Sequence, residues 1–158
     1  MCNVKGKYSF FPDRYTHKEG SKICQKFGGQ RVDVSTKEDF QRVVDFLGFV
    51  KEDPAWNKGL DVTTYSKFTD EGEFNVWKDY ITGEKPKDPL FWNFGEPNGG
   101  MIENCAQIWT RKDGNGKWVG SFNDFDCNRP MAVACEGVGE VLLILRGLNQ
   151  LVFNSEIL

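Results

Sequence analysis

The 158-residue sequence contains one histidine, His17. A Ser-His-Asp triad or a His-rich zinc centre cannot be built around it in the usual way, which removes most metallohydrolase and histidine-based acid/base chemistry. No C-x-x-C pair occurs, so zinc ribbons and thioredoxin-type redox sites lack their ligands. The longest apolar run, Val141 to Leu145, is far below the roughly 18 residues of a membrane-spanning helix. Charge of one sign is also scarce. Twenty Lys plus Arg stand against twenty-three Asp plus Glu, without a long run of either, and the net charge is -3. Such a chain offers no footprint for a nucleic-acid backbone and no basic patch for membrane insertion or binding. There is no N-x-S/T sequon. Met1 to Tyr8 lacks the apolar stretch of a signal peptide, so secretion is expected only if such a peptide preceded this start.

What is present is 39% hydrophobic and 14% aromatic residues, seventeen glycines and five cysteines. These fit one soluble domain with a short appendage, and widely spaced cysteines read as a disulfide framework of an extracellular or secreted protein. Lys7 to Phe11 reads as a strand. Thr16 and Glu19 form a capping box that opens a helix reaching Phe27. Gln30 to Val34 reads as a second strand. Ser35 with Glu38 is a second capping box, followed by a helix with Phe40, Val43, Val44 and Leu47 on one face and Gly48 as its stop. From Pro54 to Pro130 the texture is loop-dominated, with only short strand candidates such as Phe74 to Trp77 and Ala106 to Trp109. Asp113 to Lys117 is a tight hairpin turn before Trp118, and Met131 to Cys135 is a closing core strand. The five tryptophans are assigned to the core, and His17 to the surface of the first helix. Residues 137–158 carry two apolar clusters and read as a C-terminal extension or the start of a following segment, leaving 2–136 as the domain proper.

A loop region this long needs a fastener, a disulfide or an ion. Within it Glu96, Asn98, Glu103, Asn123 and Asp124 form three oxygen-rich clusters, the last two beside Cys105 and Cys127. Carboxylate and amide oxygens without imidazole or thiolate suit a hard cation, and Ca2+ takes six to eight of them. A cis bond at Glu96-Pro97 would turn the flanking side chains the same way, letting Glu96 and Asn98 chelate one ion. The amide N-H groups of Asn98 and Asn123 remain as donors, so two adjacent sugar hydroxyls could complete the coordination shell.

The segments Trp92-Asn-Phe-Gly-Glu-Pro-Asn98, Glu103-Asn-Cys105 and Asn123-Asp124-Phe-Asp-Cys127, with Trp56-Asn-Lys-Gly59, resemble the motifs of the C-type lectin-like domain. The resemblance spans about Lys7 to Glu136. It implies an α+β, C-type lectin-like fold, two helices flanking small antiparallel sheets with a long calcium-binding loop region. It also implies disulfides Cys24 to Cys135 and Cys105 to Cys127, a pairing that cysteine counting alone leaves open among three. Carried over by position, Glu96, Asn98, Glu103, Asn123 and Asp124 match the family's principal calcium and carbohydrate site. Glu-Pro-Asn there implies mannose-type specificity, the equatorial vicinal hydroxyls of mannose, glucose, N-acetylglucosamine and fucose, where Gln-Pro-Asp would imply galactose.

Three departures accompany the likeness. Phe122 replaces the usual tryptophan before Asn-Asp, which alters packing rather than liganding. Gly99 and Asn104 stand where acidic residues often serve an auxiliary calcium, so a second ion through Asp61, Asp70 or Glu71 is not expected. Cys2 has no evident partner: a link to a second chain, a pairing with a segment outside this sequence and a free thiol are the alternatives, and with the extension it is a candidate link to other copies or to a larger parent chain. Phe125 and Asp126 flank the ligand pair and are candidates for tuning sugar choice. The expected activity is thus non-catalytic, calcium-dependent glycan recognition. A protein-binding module in which calcium only orders the loop is the alternative. A glycosidase pair such as Glu96 and Glu103 is disfavoured, since every carboxylate is better used as a ligand.

Overall fold

The computed structural model describes residues 3–5, 7–52, 62–67 and 76–138, with the backbone alone for 3–5 and 62–67. Cys2, Trp56 to Gly59, Asp61, Asp70, Glu71, Phe74 and residues 139–158 lie outside the described residues, and the readings placed on them with them.

The chain runs β1 (Asn3–Lys5), β2 (Tyr8–Tyr15), α1 (His17–Lys26), β3 (Gln30–Arg31), α2 (Lys37–Glu52), β4 (Val62–Lys67), β5 (Trp77–Asp79), β6 (Cys105–Lys112), β7 (Trp118–Phe125) and β8 (Met131–Glu136). The strands are ordered β1-β2-β8-β4-β6-β7, with β3 on β8 and β5 on β4. Among the described residues these strands pair antiparallel, except for the β4 to β8 contact at Val62 and Ala132.

The first capping box forms as read. Glu19 N-H donates to the Thr16 hydroxyl at 3.3 Å, and Thr16 N-H to the Glu19 carboxylate at 2.9 Å. The second is displaced by one residue. Asp39 N-H donates to Thr36 Oγ1 at 3.1 Å and Thr36 Oγ1 to Asp39 Oδ2 at 2.8 Å, so Thr36 rather than Ser35 caps α2. The reason is remote in sequence. Asp88 N-H donates to the Ser35 carbonyl at 2.9 Å, and Lys37 N-H donates to the Asp88 carboxylate at 2.8 Å, which fixes the helix start.

Gly48 does not end α2, which continues to Glu52. It is buried, and a Cβ there would collide with the Trp118 indole, so this glycine allows close approach between helix and strand. The strand read at Gln30 to Val34 shortens to two residues, because Asp33 begins a turn by accepting from Ser35 N-H at 2.9 Å.

The main core packs Phe40, Val43, Val44, Leu47 and Val50 of α2 against Phe10, Ile108, Phe122 and Ala134. Phe122 is fully buried, 4.8 Å centroid to centroid from Phe40, so the residue that departs from the usual tryptophan serves packing. Cys24 is bonded to Cys135, tying α1 to β8, and Cys105 to Cys127, bracing the start of β6. Phe125 is buried in the small core around that second disulfide, so its side chain offers no exposed surface. Among the described residues no helix is long and apolar enough to cross a membrane.

His17 also departs from its surface assignment. It is 3% exposed, edge-on to Tyr80 at 5.2 Å, and its carbonyl accepts from the buried Arg31 guanidinium. Burial, assisted by the Arg31 charge, lowers its pKa to about 3. One signal was available in sequence: as the first residue of a capped helix it adjoins the Thr16 cap, and Gly20 on the same face marks a close approach.

Candidate functional site

The candidate site is assembled on β7 and on the loop that precedes β6. Asn123 and Asp124 are strand residues, not loop residues as the punctuation of the sequence suggested. Asn123 is paired with Gln107 and Asp124 with Ala106 in a continuous β6-β7 ladder. The hairpin turn is the one expected. Asp113 Oδ1 accepts from Asn115 and Lys117 N-H, both at 2.9 Å, and Asp113 N-H donates to the Lys117 carbonyl at 2.8 Å.

Residues 91–93 add a short strand-like edge to β7. Phe122 N-H donates to the Phe91 carbonyl at 2.6 Å and Asn93 N-H to the Phe122 carbonyl at 2.7 Å, while Trp92 turns inward onto Phe122. The chain then turns through Gly95, which has a positive φ, and passes the cis Glu96-Pro97 bond.

Asp124 is 1% exposed and anchors this loop. Its Oδ1 accepts from Asn98 N-H at 3.0 Å and its Oδ2 from Gly99 N-H at 2.8 Å. Asn98 Nδ2 donates to Glu96 Oε1 at 3.1 Å. Glu103 packs directly on Gly99, where any Cβ would collide with it, and Glu103 N-H donates to the Gly99 carbonyl at 3.4 Å. Glu96, Asn98 and Asp124 are therefore in direct contact, and Glu103 joins them across Gly99. Asn123 is adjacent, its Nδ2 donating to the Asp124 carbonyl at 2.7 Å, which uses one of its two amide hydrogens.

Glu96 Oε2 is buried without a hydrogen-bond partner. Burial first, and then the neighbouring Asp124, raise the Glu96 carboxyl above its ordinary pKa. The Asn98 contact opposes this, and Glu103 contributes least. An orphaned carboxylate oxygen beside a second carboxylate, with amides around it, is an oxygen-only donor set that a hard cation satisfies. The residues present fit calcium on that ground. Among the described residues, however, no group of three His, Cys, Asp or Glu side chains converges as a metal cage.

Two features were not read from the sequence. Gly99 matters as the residue that lets Asp124 grip the loop and Glu103 approach it; its place immediately after Pro97-Asn98 was the available signal. Trp109 is 38% exposed on the outer face of β6, correcting its core assignment, whereas Trp77 is buried and Trp92 and Trp118 are half-buried.

No family model matches the chain. Its structure is similar to human lithostathine, with a TM-score of 0.60 and 17% sequence identity over 87% of this chain and 97% of that one. It is similar to the mouse scavenger receptor C-type lectin carbohydrate-recognition domain, with a TM-score of 0.55 and 18% identity over 87% and 95% of the two chains. It is likewise similar to the cow CD23 carbohydrate-recognition domain, with a TM-score of 0.54 and 22% identity over 87% and 93%. With this similarity, and with two helices, small antiparallel sheets and two bracing disulfides among the described residues, the chain has the C-type lectin-like fold.

Proposed function

We propose that this chain is a calcium-dependent carbohydrate-binding domain of mannose-type specificity that recognises glycans without changing them. The observation that carries the reading is the contact of Glu96, Asn98 and Asp124 around an unpartnered, buried carboxylate oxygen. Glu96, Asn98, Glu103, Asn123 and Asp124 would hold the ion. Bound calcium supplies positive charge and coordination positions that two adjacent sugar hydroxyls can fill. Glu96 and Glu103 then accept from those hydroxyls, and the amides of Asn98 and Asn123 donate to them. Asp124 contributes by holding the Asn98-Gly99 backbone, so that loop and strand present one surface. The cow CD23 domain was studied in the presence of a GlcNAc2Man3 oligosaccharide, which is consistent with this class of ligand on this fold.

Two disulfides suit an oxidising compartment, which supports a proposed location outside the cell. The recognition unit is taken as 2–136, with 137–158 as an extension. A single exposed site binds a monosaccharide weakly, on the order of millimolar, so avidity would come from several copies, through Cys2 or the extension, or from a larger parent chain.

The test is retention on immobilised mannose with calcium, followed by elution with a chelator, with free mannose and with free galactose. Release by chelator and mannose but poorly by galactose is expected. Calcium binding by calorimetry without mannose retention would favour the second reading, a protein-binding module. That reading is supported by the exposed Met101 and Ile102 on the same loop.

A further inference from the structure

The outer face of the β6-β7 hairpin carries a second concavity. Residues directly opposite in an antiparallel ladder point to the same side, and alternate residues share a face. Trp109 is opposite Ser121, Arg111 opposite Val119 and Gln107 opposite Asn123, so Trp109, Arg111, Val119, Ser121 and Asn123 share one side of the hairpin. The other side, with Gly120 and Phe122, packs on α2. Phe91 and Asn93 extend the floor on the far edge of β7, since Trp92 between them turns inward. Phe94 follows, on the approach to Glu96.

The result is an open cleft of about 660 Å3, within the range of small-ligand sites. Its apolar surfaces are partly exposed aromatic rings: Phe91 is 54% exposed, with the Lys37 ammonium 5.7 Å from its centroid, Trp109 38% and Phe94 101%. Single exposed apolar residues are ordinary, but three aromatic rings around one concavity are not. Between them stand an amide, a hydroxyl, a guanidinium and a carboxylate, from Asn93, Ser121, Arg111 and Asp113. A second cleft of about 410 Å3, beside Arg31 and the 79–87 segment, has no aromatic plane among its lining residues.

Aromatic planes interleaved with hydrogen-bonding groups match a pyranose ring, whose C-H face is apolar and whose rim carries hydroxyls. The cleft also adjoins the site described above. Asn123 and Ser121 lie on the same face two residues apart, a step of about 7 Å along a strand. Phe94 precedes Glu96 by two residues on the loop.

We infer that this cleft is an oligosaccharide subsite, in which Trp109, Phe91 and Phe94 stack the sugar residue linked to the one held at Glu96 and Asn98. The inference rests on the calcium-dependent reading and deepens it, from a monosaccharide site to an extended one that distinguishes a chain from its terminal residue.

The experiment is calorimetric titration, with calcium, of methyl mannoside and of a linear mannose trisaccharide into wild type, Trp109→Ala and Phe94→Ala. Wild type should bind the trisaccharide about tenfold more tightly than the monosaccharide. Each variant should lose most of that ratio while keeping its monosaccharide affinity. Because both side chains reach solvent, retained monosaccharide binding also reports that the variants are folded. A wild-type ratio near one, or a ratio unchanged in both variants, overturns the subsite and leaves the calcium site standing. Absence of binding to either sugar in wild type overturns both.

Discussion

The half of the molecule built from α1, α2, β2 and β8 is held by apolar burial, whereas the loop that precedes β6 is held by hydrogen bonds to a few carboxylates. In the first, Val43, Val44, Leu47 and Val133 are fully buried and the long-range Cys24-Cys135 bond closes the structure. In the second, the described segment 94–104 has exposed Phe94, Met101 and Ile102, and its backbone depends on Asp124. The lesson is a division of stability. Burial of apolar area is indifferent to cations and mild acid, while carboxylate-anchored loops respond to both.

The largest effect separating the two should come from the disulfides. Cys24 and Cys135 are 111 residues apart and Cys105 and Cys127 are 22 apart, so loop-closure entropy assigns about 5 and about 3 kcal/mol to them. Replacing each pair by alanine should reproduce that order in urea unfolding and the reverse order in loss of calcium-dependent mannose retention. If the shorter-range pair proves the more destabilising, the division between the halves is wrong.

A pH experiment challenges the first half from inside. His17 has a folded pKa near 3 and titrates near 6.5 when unfolded, so between those values the unfolded chain binds the extra proton. This group's contribution to stability is therefore constant above pH 6.5 and declines as pH falls toward 3, by ~5 kcal/mol at most. His17→Phe should flatten the stability difference between pH 7 and pH 4. An identical slope in both proteins would show that the imidazole is not kept neutral by its surroundings.

Asp124→Ala should cost about 1 to 3 kcal/mol by leaving the Asn98 and Gly99 N-H groups without their acceptor, and should abolish mannose retention. Thermal melting checks the first effect and the affinity column the second. Retention that survives would move the site away from this carboxylate. The smallest change in stability, on the order of 1 kcal/mol, is expected for Gly99→Ala, where the added methyl meets the Glu103 side chain from its Cβ outward, and displacement of Glu103 should weaken calcium binding several-fold by calorimetry. Equal calcium affinity would remove Glu103 from the ligand set.

How much was legible in the sequence follows the same division. The Thr16-Glu19 box, the apolar stripe of α2 and the closing strand β8 depend on neighbours three or four residues away, or on strand composition, and they were readable. What failed was set by partners far along the chain. Ser35 lost the cap to Thr36 because Asp88 occupies its carbonyl. Gly48 failed as a stop because Trp118 lies against it. The candidate ligands were legible as a composition, oxygen donors beside cysteines. Their grouping was not, since the contacts of Asp124 with Asn98 and Gly99 join residues 26 and 25 apart. The exposure of Trp109 was hidden for a simpler reason: tryptophan content says nothing about which face of a strand a given residue occupies.

The β6-β7 hairpin is fastened to α2 from behind. Gly120 meets Val44, Gln41 Nε2 donates to the Trp118 carbonyl at 3.2 Å, and Lys51 Nζ donates to the Thr110 carbonyl at 3.0 Å. A two-residue period thus separates the positions that secure this hairpin from those that meet the outside. In engineering terms it is a display scaffold. Positions 109, 111, 119 and 121 can be randomised together to select new ligands while the anchoring positions between them stay untouched.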